Sequence, residues 1–197
     1  MKKIYLLVLL TVFSLAGRTQ SASEPKTLFG NISFENISFV INPYSELGSI
    51  GGSEKFSLGV RGGVNVNSKY TFGGYYTGSL NNVRPAGTEL LTGYMDMRAG
   101  GLYFEYTLLN EKLVHLTFPL NVGYGEVQWD TDNDEIEFNE ENFFTIEPTA
   151  LLEVNLHKYV KANLGGGYRW VSDFNYLNID ANDLRGPIGQ IGLKIII

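Results

Sequence analysis

Asp130, Asp132, Asp134 and Glu141 stand at positions 1, 3, 5 and 12 of the acidic run DTDNDEIEFNEE, residues 130–141. Carboxylates at that spacing are the oxygen set that an EF-hand-type loop folds onto Ca2+. Position six departs from that pattern, with Glu135 where the sharp turn takes glycine, and strand patterns flank the run instead of helices. A looser Ca2+ site built from clustered carboxylates is the one cofactor chemistry open to the chain. The plain alternative is a solvated acidic loop. His115 and His157 are the two histidines available as bases for a serine or threonine nucleophile. No G-x-S-x-G elbow accompanies them. His115 falls on the polar face of a strand pattern and reads as a member of a hydrogen-bonded network, whereas His157 falls in a short turn. Glu147 and Glu153 share a strand face but stand six residues apart, about 20 Å by strand rise, too far for a glycosidase pair. The glycines of GVRGGV, FGGYY and NLGGGYRW lack the Lys-Ser/Thr of a phosphate cradle. They suit a narrow, strongly curved sheet better. Nothing here builds an active site, and the expectation is a protein that is not an enzyme.

The elements that carry these residues repeat with period two. Phe56, Leu58, Val60, Val64 and Val66 oppose Ser57, Gly59, Arg61, Gly63 and Asn65. Tyr70, Phe72 and Tyr76 repeat the pattern after the turn signal Asn67-Ser68-Lys69. Further alternating runs start near Val114, Phe144, Val160 and Gln190. Two runs are less regular. Met95, Met97 and Ala99 share one parity while Leu102, Phe104, Tyr106 and Leu108 take the other, so Gly100-Gly101 predicts a β-bulge. The first strand, placed at residues 29–41, slips near Asn36. Eight strands result. Connections after the odd strands are long, at residues 42–54, 78–90, 129–142 and 171–185. Those after the even strands are short, at 67–69, 109–112 and 157–158. Short turns on one side and long loops on the other fit a membrane barrel with both chain ends on the periplasmic side.

The first 22 residues stand apart from this pattern. Met1-Lys2-Lys3 precedes an apolar run from Ile4 to Ala16, then small and polar residues, which is the make-up of a secretory signal peptide. Residues 23–197 then form a single barrel domain. Of the 15 Lys and Arg, three lie in the signal segment, which leaves 12 against 21 acids and a net charge of about −9. That balance excludes nucleic acid as a partner, because phosphate binding needs clustered Lys and Arg. The chain has no cysteine for a disulfide or a lipid anchor. Apolar residues make up 44% of the chain, spread by alternation together with 23 glycines.

The polar faces carry Arg61, Asp96, Arg98, Glu105, Glu147, Glu153, Lys161, Arg169 and Lys194, five bases and four acids. An eight-stranded barrel is just wide enough for such side chains to fill it, so these nine are expected as a lumenal charge network. Tyr70, Tyr106, Tyr124, Trp129, Phe143, Phe144, Tyr159 and Trp170 fall near strand ends and are expected in the interfacial girdles of the outer wall. The segments SLGVRGGVNVNSKYTFGGYYTG, GLYFEYTLLNEKLVHLTFPLNVGYG and FFTIEPTALLEVNLHKYVKANLGGGYRWV resemble the small OmpA-like outer-membrane β-barrel proteins of Bacteroidota-type bacteria. The resemblance covers most of the chain after the signal segment and implies an all-β fold, an eight-stranded antiparallel up-and-down transmembrane barrel in the outer membrane. It implies no activity. The chain ends in Ile197, where such barrels commonly end in an aromatic residue. The reading is a non-enzymatic barrel with a plugged polar lumen, in contact with outer-membrane lipid and free to present long loops to an extracellular ligand or protein. Two alternatives stay open. One is a small-ligand binder or narrow pore, in the membrane or as a soluble lipocalin-like barrel with its apolar face inward. The other is a lipid-modifying enzyme.

Overall fold

The computed structural model describes residues 36–85, 93–130, 140–176 and 179–197. The signal segment lies outside them. The strands are β1 (Ile37–Ile50), β2 (Ser53–Val66), β3 (Tyr70–Ser79), β4 (Tyr94–Leu108), β5 (Val114–Asp130), β6 (Glu141–His157), β7 (Val160–Val171), β8 (Asn175–Tyr176), β9 (Ile179–Asp180) and β10 (Gly186–Ile196). Among the described residues a short helix, α1 (Ala181–Leu184), precedes β10. Eight strands close into an antiparallel barrel in the order β1-β10-β7-β6-β5-β4-β3-β2, and β8 and β9 form a separate small hairpin.

Local chemistry explains the hairpins. At the β2–β3 turn Asn67 and Ser68 both take φ of 55°, and Lys69 N–H closes on Val66 O at 3.1 Å. Two central residues with positive φ match the right-handed twist of the flanking strands. The same device joins β1 to β2, where Gly51 and Gly52 have φ of 53° and 78°. This corrects the first strand and first loop read from the sequence. The strand is Ile37–Ile50, not residues 29–41, and its connection is a two-residue turn, not a long loop. A proline inside a strand is unusual, yet Pro43 is accommodated. Pro43 pairs with Val60 on β2, while the ladder to β10 passes from Ile41 to Tyr44. Pro119 and Pro148 repeat this, each paired on one side and skipped on the other. A residue without an N–H fits a sheet only where no ladder bond is asked of it.

The faces sort by chemistry along every strand. On β2, Lys55, Ser57, Arg61 and Asn65 are buried, while Phe56, Leu58 and Val60 are exposed. Polar groups point inward and apolar groups outward, the reverse of the soluble lipocalin-like arrangement. The proposed bulge at Gly100-Gly101 is absent. The β3–β4 and β4–β5 registers run unbroken through both residues. Met95, Met97, Ala99, Tyr103, Glu105 and Thr107 all face inward on one parity. The inner face itself changes from polar to apolar towards the end of the barrel that carries the longer connections.

At that end an apolar cluster fills the interior. Ile50, Met95, Met97, Val127, Trp129, Phe143 and Val171 from the wall meet Val83, Phe174, Tyr176, Ile179, Ala181 and Leu184 from the connections. Trp129 and Phe143 are 3% and 2% exposed, which removes them from the outer girdles. Asp180 caps α1 by accepting from Asn182 N, and Asp183 returns a bond to the Asp180 N–H. The helix is tied to the wall through Gly51 N–H to Asp183 O at 2.9 Å. Trp129 N–H donates to the Tyr176 hydroxyl at 3.0 Å, and burial raises the Tyr176 pKa above its ordinary value.

Candidate functional site

The barrel interior below the apolar cluster holds charged side chains at 0–3% exposure, with Lys161 more open at its edge. Near the short-turn end, Glu153 on β6 gathers the cations. Its neighbour across the ladder is His115 on β5, whose Nε2 lies 2.8 Å from Glu153 Oε1. The other ring nitrogen of His115 faces Lys112 O at 3.2 Å. Lys161 Nζ reaches Glu153 at 3.1 Å, and Lys194 pairs with its second oxygen. Lys161 and Lys194 are directly opposite in the β7–β10 ladder, a repulsive placement that a shared carboxylate offsets. Lys194 also reaches Glu105 on β4 at 2.6 Å, and the Tyr103 hydroxyl donates to the same carboxylate at 2.6 Å.

Higher in the lumen, Arg169 on β7 lies between two carboxylates. Its Nε donates to Glu147 at 2.6 Å and its Nη2 to Glu46 on β1. Lys55 on β2 stands 3.9 Å from Glu46 and 3.4 Å from Met97 Sδ. Arg61 has a different environment. Its Nε donates to Asn121 Oδ1 at 3.0 Å and its Nη2 to Gln190 Oε1 at 2.9 Å. Those two amides donate onward, Asn121 to Glu147 at 3.2 Å and Gln190 to Glu46 at 2.9 Å. The Arg61 guanidinium lies 4.1 Å over the Tyr44 ring, and Tyr103 lies 5.6 Å away. Gly59 makes room for that ring, since a Cβ there would meet Tyr44 Cζ at 2.4 Å.

Seven of the nine residues expected in the lumen are there: Arg61, Glu105, Glu147, Glu153, Lys161, Arg169 and Lys194. Asp96 and Arg98 are not. They sit on the outward parity of β4, where Arg98 is 46% exposed and pairs with Asp96 at 3.8 Å and Glu126 at 3.9 Å. The misassigned bulge had put them inside. Glu46 and Lys55 take their place in the interior, which keeps five bases against four acids. Glu46 lay in the stretch read as a loop and Lys55 just beyond its end; the signal that could have found Glu46 is the even parity of Val40, Asn42, Tyr44 and Glu46, all buried. Of the acidic run, Asp132 and Asp134 lie outside the described residues. Asp130 accepts from the Tyr94 hydroxyl at 3.0 Å, and Glu141 opens β6 opposite Val127.

No family model matches the chain, and no curated protein matches its sequence. Solved structures do match in fold. Neisserial surface protein A (NspA) superposes with a TM-score of 0.57 at 12% identity, over 81% of this chain and 96% of that one. The N-terminal β-barrel domain of OprF from Pseudomonas aeruginosa superposes with a TM-score of 0.50 at 7% identity, over 81% and 97%. The chain thus has the closed eight-stranded antiparallel fold found in outer-membrane barrel proteins.

Proposed function

We propose that this protein is a non-enzymatic integral barrel of the Gram-negative outer membrane, with a sealed lumen and a role in the envelope carried by the loops at its apolar-capped end. The observation that carries the reading is the outer wall. Its outward positions run uncharged from Ile37 to Leu47 on β1, Phe56 to Val66 on β2, Gly100 to Leu108 on β4 and Val114 to Tyr124 on β5. The same holds for Phe144 to Leu156 on β6 and Val160 to Trp170 on β7. The β5 stretch measures about 33 Å along the strand and, tilted by about 40°, about 25 Å along the barrel axis. That is the height of the apolar band of an outer-membrane barrel. Charged groups resume just beyond it, at Glu126 and at the Asp96–Arg98 pair. Exposed Tyr124, Tyr159, Tyr168 and Trp170 suit the two interfaces.

A sealed lumen is supported by the buried network and by the apolar cluster over it, since eight strands leave an interior that side chains fill. A non-enzymatic role is supported by His115, which lies near the short-turn end with both ring nitrogens engaged. A cleavable tag in the connection between β5 and β6, offered to protease on intact cells, tests location and orientation together. Cleavage, with the chain needing detergent for extraction, is the expected result. Protection in intact cells with release into the soluble periplasmic fraction overturns the reading.

A further inference from the structure

The lumenal charges do not balance locally. Near the short turns Lys161 and Lys194 face Glu105 and Glu153, two against two. In the upper half, among the described residues, Lys55, Arg61 and Arg169 share the lumen with Glu46 and Glu147. Both carboxylates there are already held by Arg169, and Lys55 lies next to Glu46. Arg61, with 0% exposure, contacts no carboxylate among the described residues directly, and its links to Glu46 and Glu147 pass through the neutral amides of Gln190 and Asn121. A buried cation without a counterion is among the costlier features a fold can carry.

The same rung of the barrel offers spare donors. Asn42 on β1, Arg61 on β2 and Tyr75 on β3 are direct partners across consecutive ladders, all on the inner face. Asn42 Nδ2, Arg61 Nη1 and the Tyr75 hydroxyl are each buried without a hydrogen-bond partner among the described residues. The Asn42 carbonyl oxygen accepts from Asn163 Nδ2 at 3.3 Å, which orients its amide nitrogen as the free end. An arginine without a carboxylate partner and two further donors at partner positions of the same rung match the chemistry of one small anion.

We infer that the rung Asn42–Arg61–Tyr75 is a lumenal binding site for a monovalent anion of the halide class, with Arg61 supplying the charge and Asn42 and Tyr75 supplying neutral donors. The apolar cluster closes one side of this site and the ion-paired network the other, so the anion is enclosed as the barrel closes, and the barrel is refolded in each salt before the two are compared. The site depends on the interior alone and is independent of the membrane that surrounds the wall.

Thermal unfolding of the full barrel in detergent, in sodium chloride against sodium gluconate at equal ionic strength, tests this. Gluconate is too bulky for the rung. A ligand at about 100-fold its dissociation constant raises the Tm of a chain this size by about 5–10 °C. The expected result is a rise of that order in chloride, lost in Arg61→Gln. Equal Tm in both salts, or a chloride effect that persists in Arg61→Gln, overturns the site. Should Arg61→Gln fail to fold, bromide in place of chloride in crystals of the unaltered protein decides. Anomalous density within hydrogen-bond reach of Arg61 Nη1 supports the site, and its absence overturns it.

Discussion

Lys194 on β10 and Glu105 on β4 meet at 2.6 Å across the full width of the lumen, four places apart in the ring of eight strands. The pair is a strut between opposite walls that no ladder joins. Removing one partner leaves a buried charge uncompensated, at about 3–5 kcal/mol, whereas removing both leaves less to solvate. Lys194→Met is therefore expected to destabilise by about 3 kcal/mol. The double change with Glu105→Gln is expected to recover more than half of that. Urea unfolding of the four proteins in lipid vesicles measures the coupling, and simple additivity would remove the strut.

The two tryptophans report opposite sides of the wall. Trp129 is 3% exposed inside the apolar cluster, while Trp170 is 40% exposed on the outer face. In vesicles of brominated lipid, the Trp129→Phe protein, which retains Trp170, is expected to lose most of its emission. The Trp170→Phe protein is expected to keep its emission. Equal quenching of the two variants would place Trp129 on the lipid side after all.

Leu164 on β7 is 60% exposed and pairs with Leu152 and Ile191 in the uncharged band. An arginine near the midplane of such a band costs about 2–4 kcal/mol. Leu164→Arg is expected to lower folding stability in vesicles by that amount. A negligible cost would argue that water, and not lipid, meets this face.

Glycine positions divide sharply. A Cβ on Gly123 would lie 2.1 Å from Gly100 O and 2.8 Å from Gly101 Cα, so two strands approach too closely for any side chain. A Cβ on Gly189 meets nothing within 4 Å. Gly123→Ala is expected to abolish the heat-modified gel shift of the folded barrel, and Gly189→Ala to change stability by less than about 0.5 kcal/mol. Comparable behaviour of the two variants would contradict the β4–β5 approach.

Where one face stayed polar and the other apolar, the sequence was readable residue by residue. On β2, β5, β6 and β7 the inward positions of Arg61, His115, Glu147, Glu153 and Arg169 follow from parity alone. Two physical effects hid the rest. Pro43 and the later Gly48, Ser49, Gly51 and Gly52 mimic a loop, because the missing N–H is harmless only once the skipped ladder position is known. That concealed Glu46, the carboxylate that Arg169 and Gln190 share. On β4 the inner face passes from Glu105 and Tyr103 to Met97 and Met95. Parity by hydropathy then inverts although the strand is regular, and Asp96 and Arg98 are carried to the wrong side. Contacts over the closing seam, such as Arg61 on β2 with Gln190 on β10, depend on closure and leave no trace in local pattern.

The apolar cluster over the lumen is also tied to the place where the ring closes. Phe174, Tyr176, Ile179, Ala181 and Leu184 all belong to the connection leading into β10, the strand that closes the ring against β1. Their anchor, Asp183 O on Gly51 N–H, spans that same seam. The seam between β1 and β10 therefore carries both the ladder that closes the ring and the bond that seats the cover. Lid and closing strand are thus one continuous piece of chain, and β10 serves as a latch: what holds the ring shut also holds the cover down.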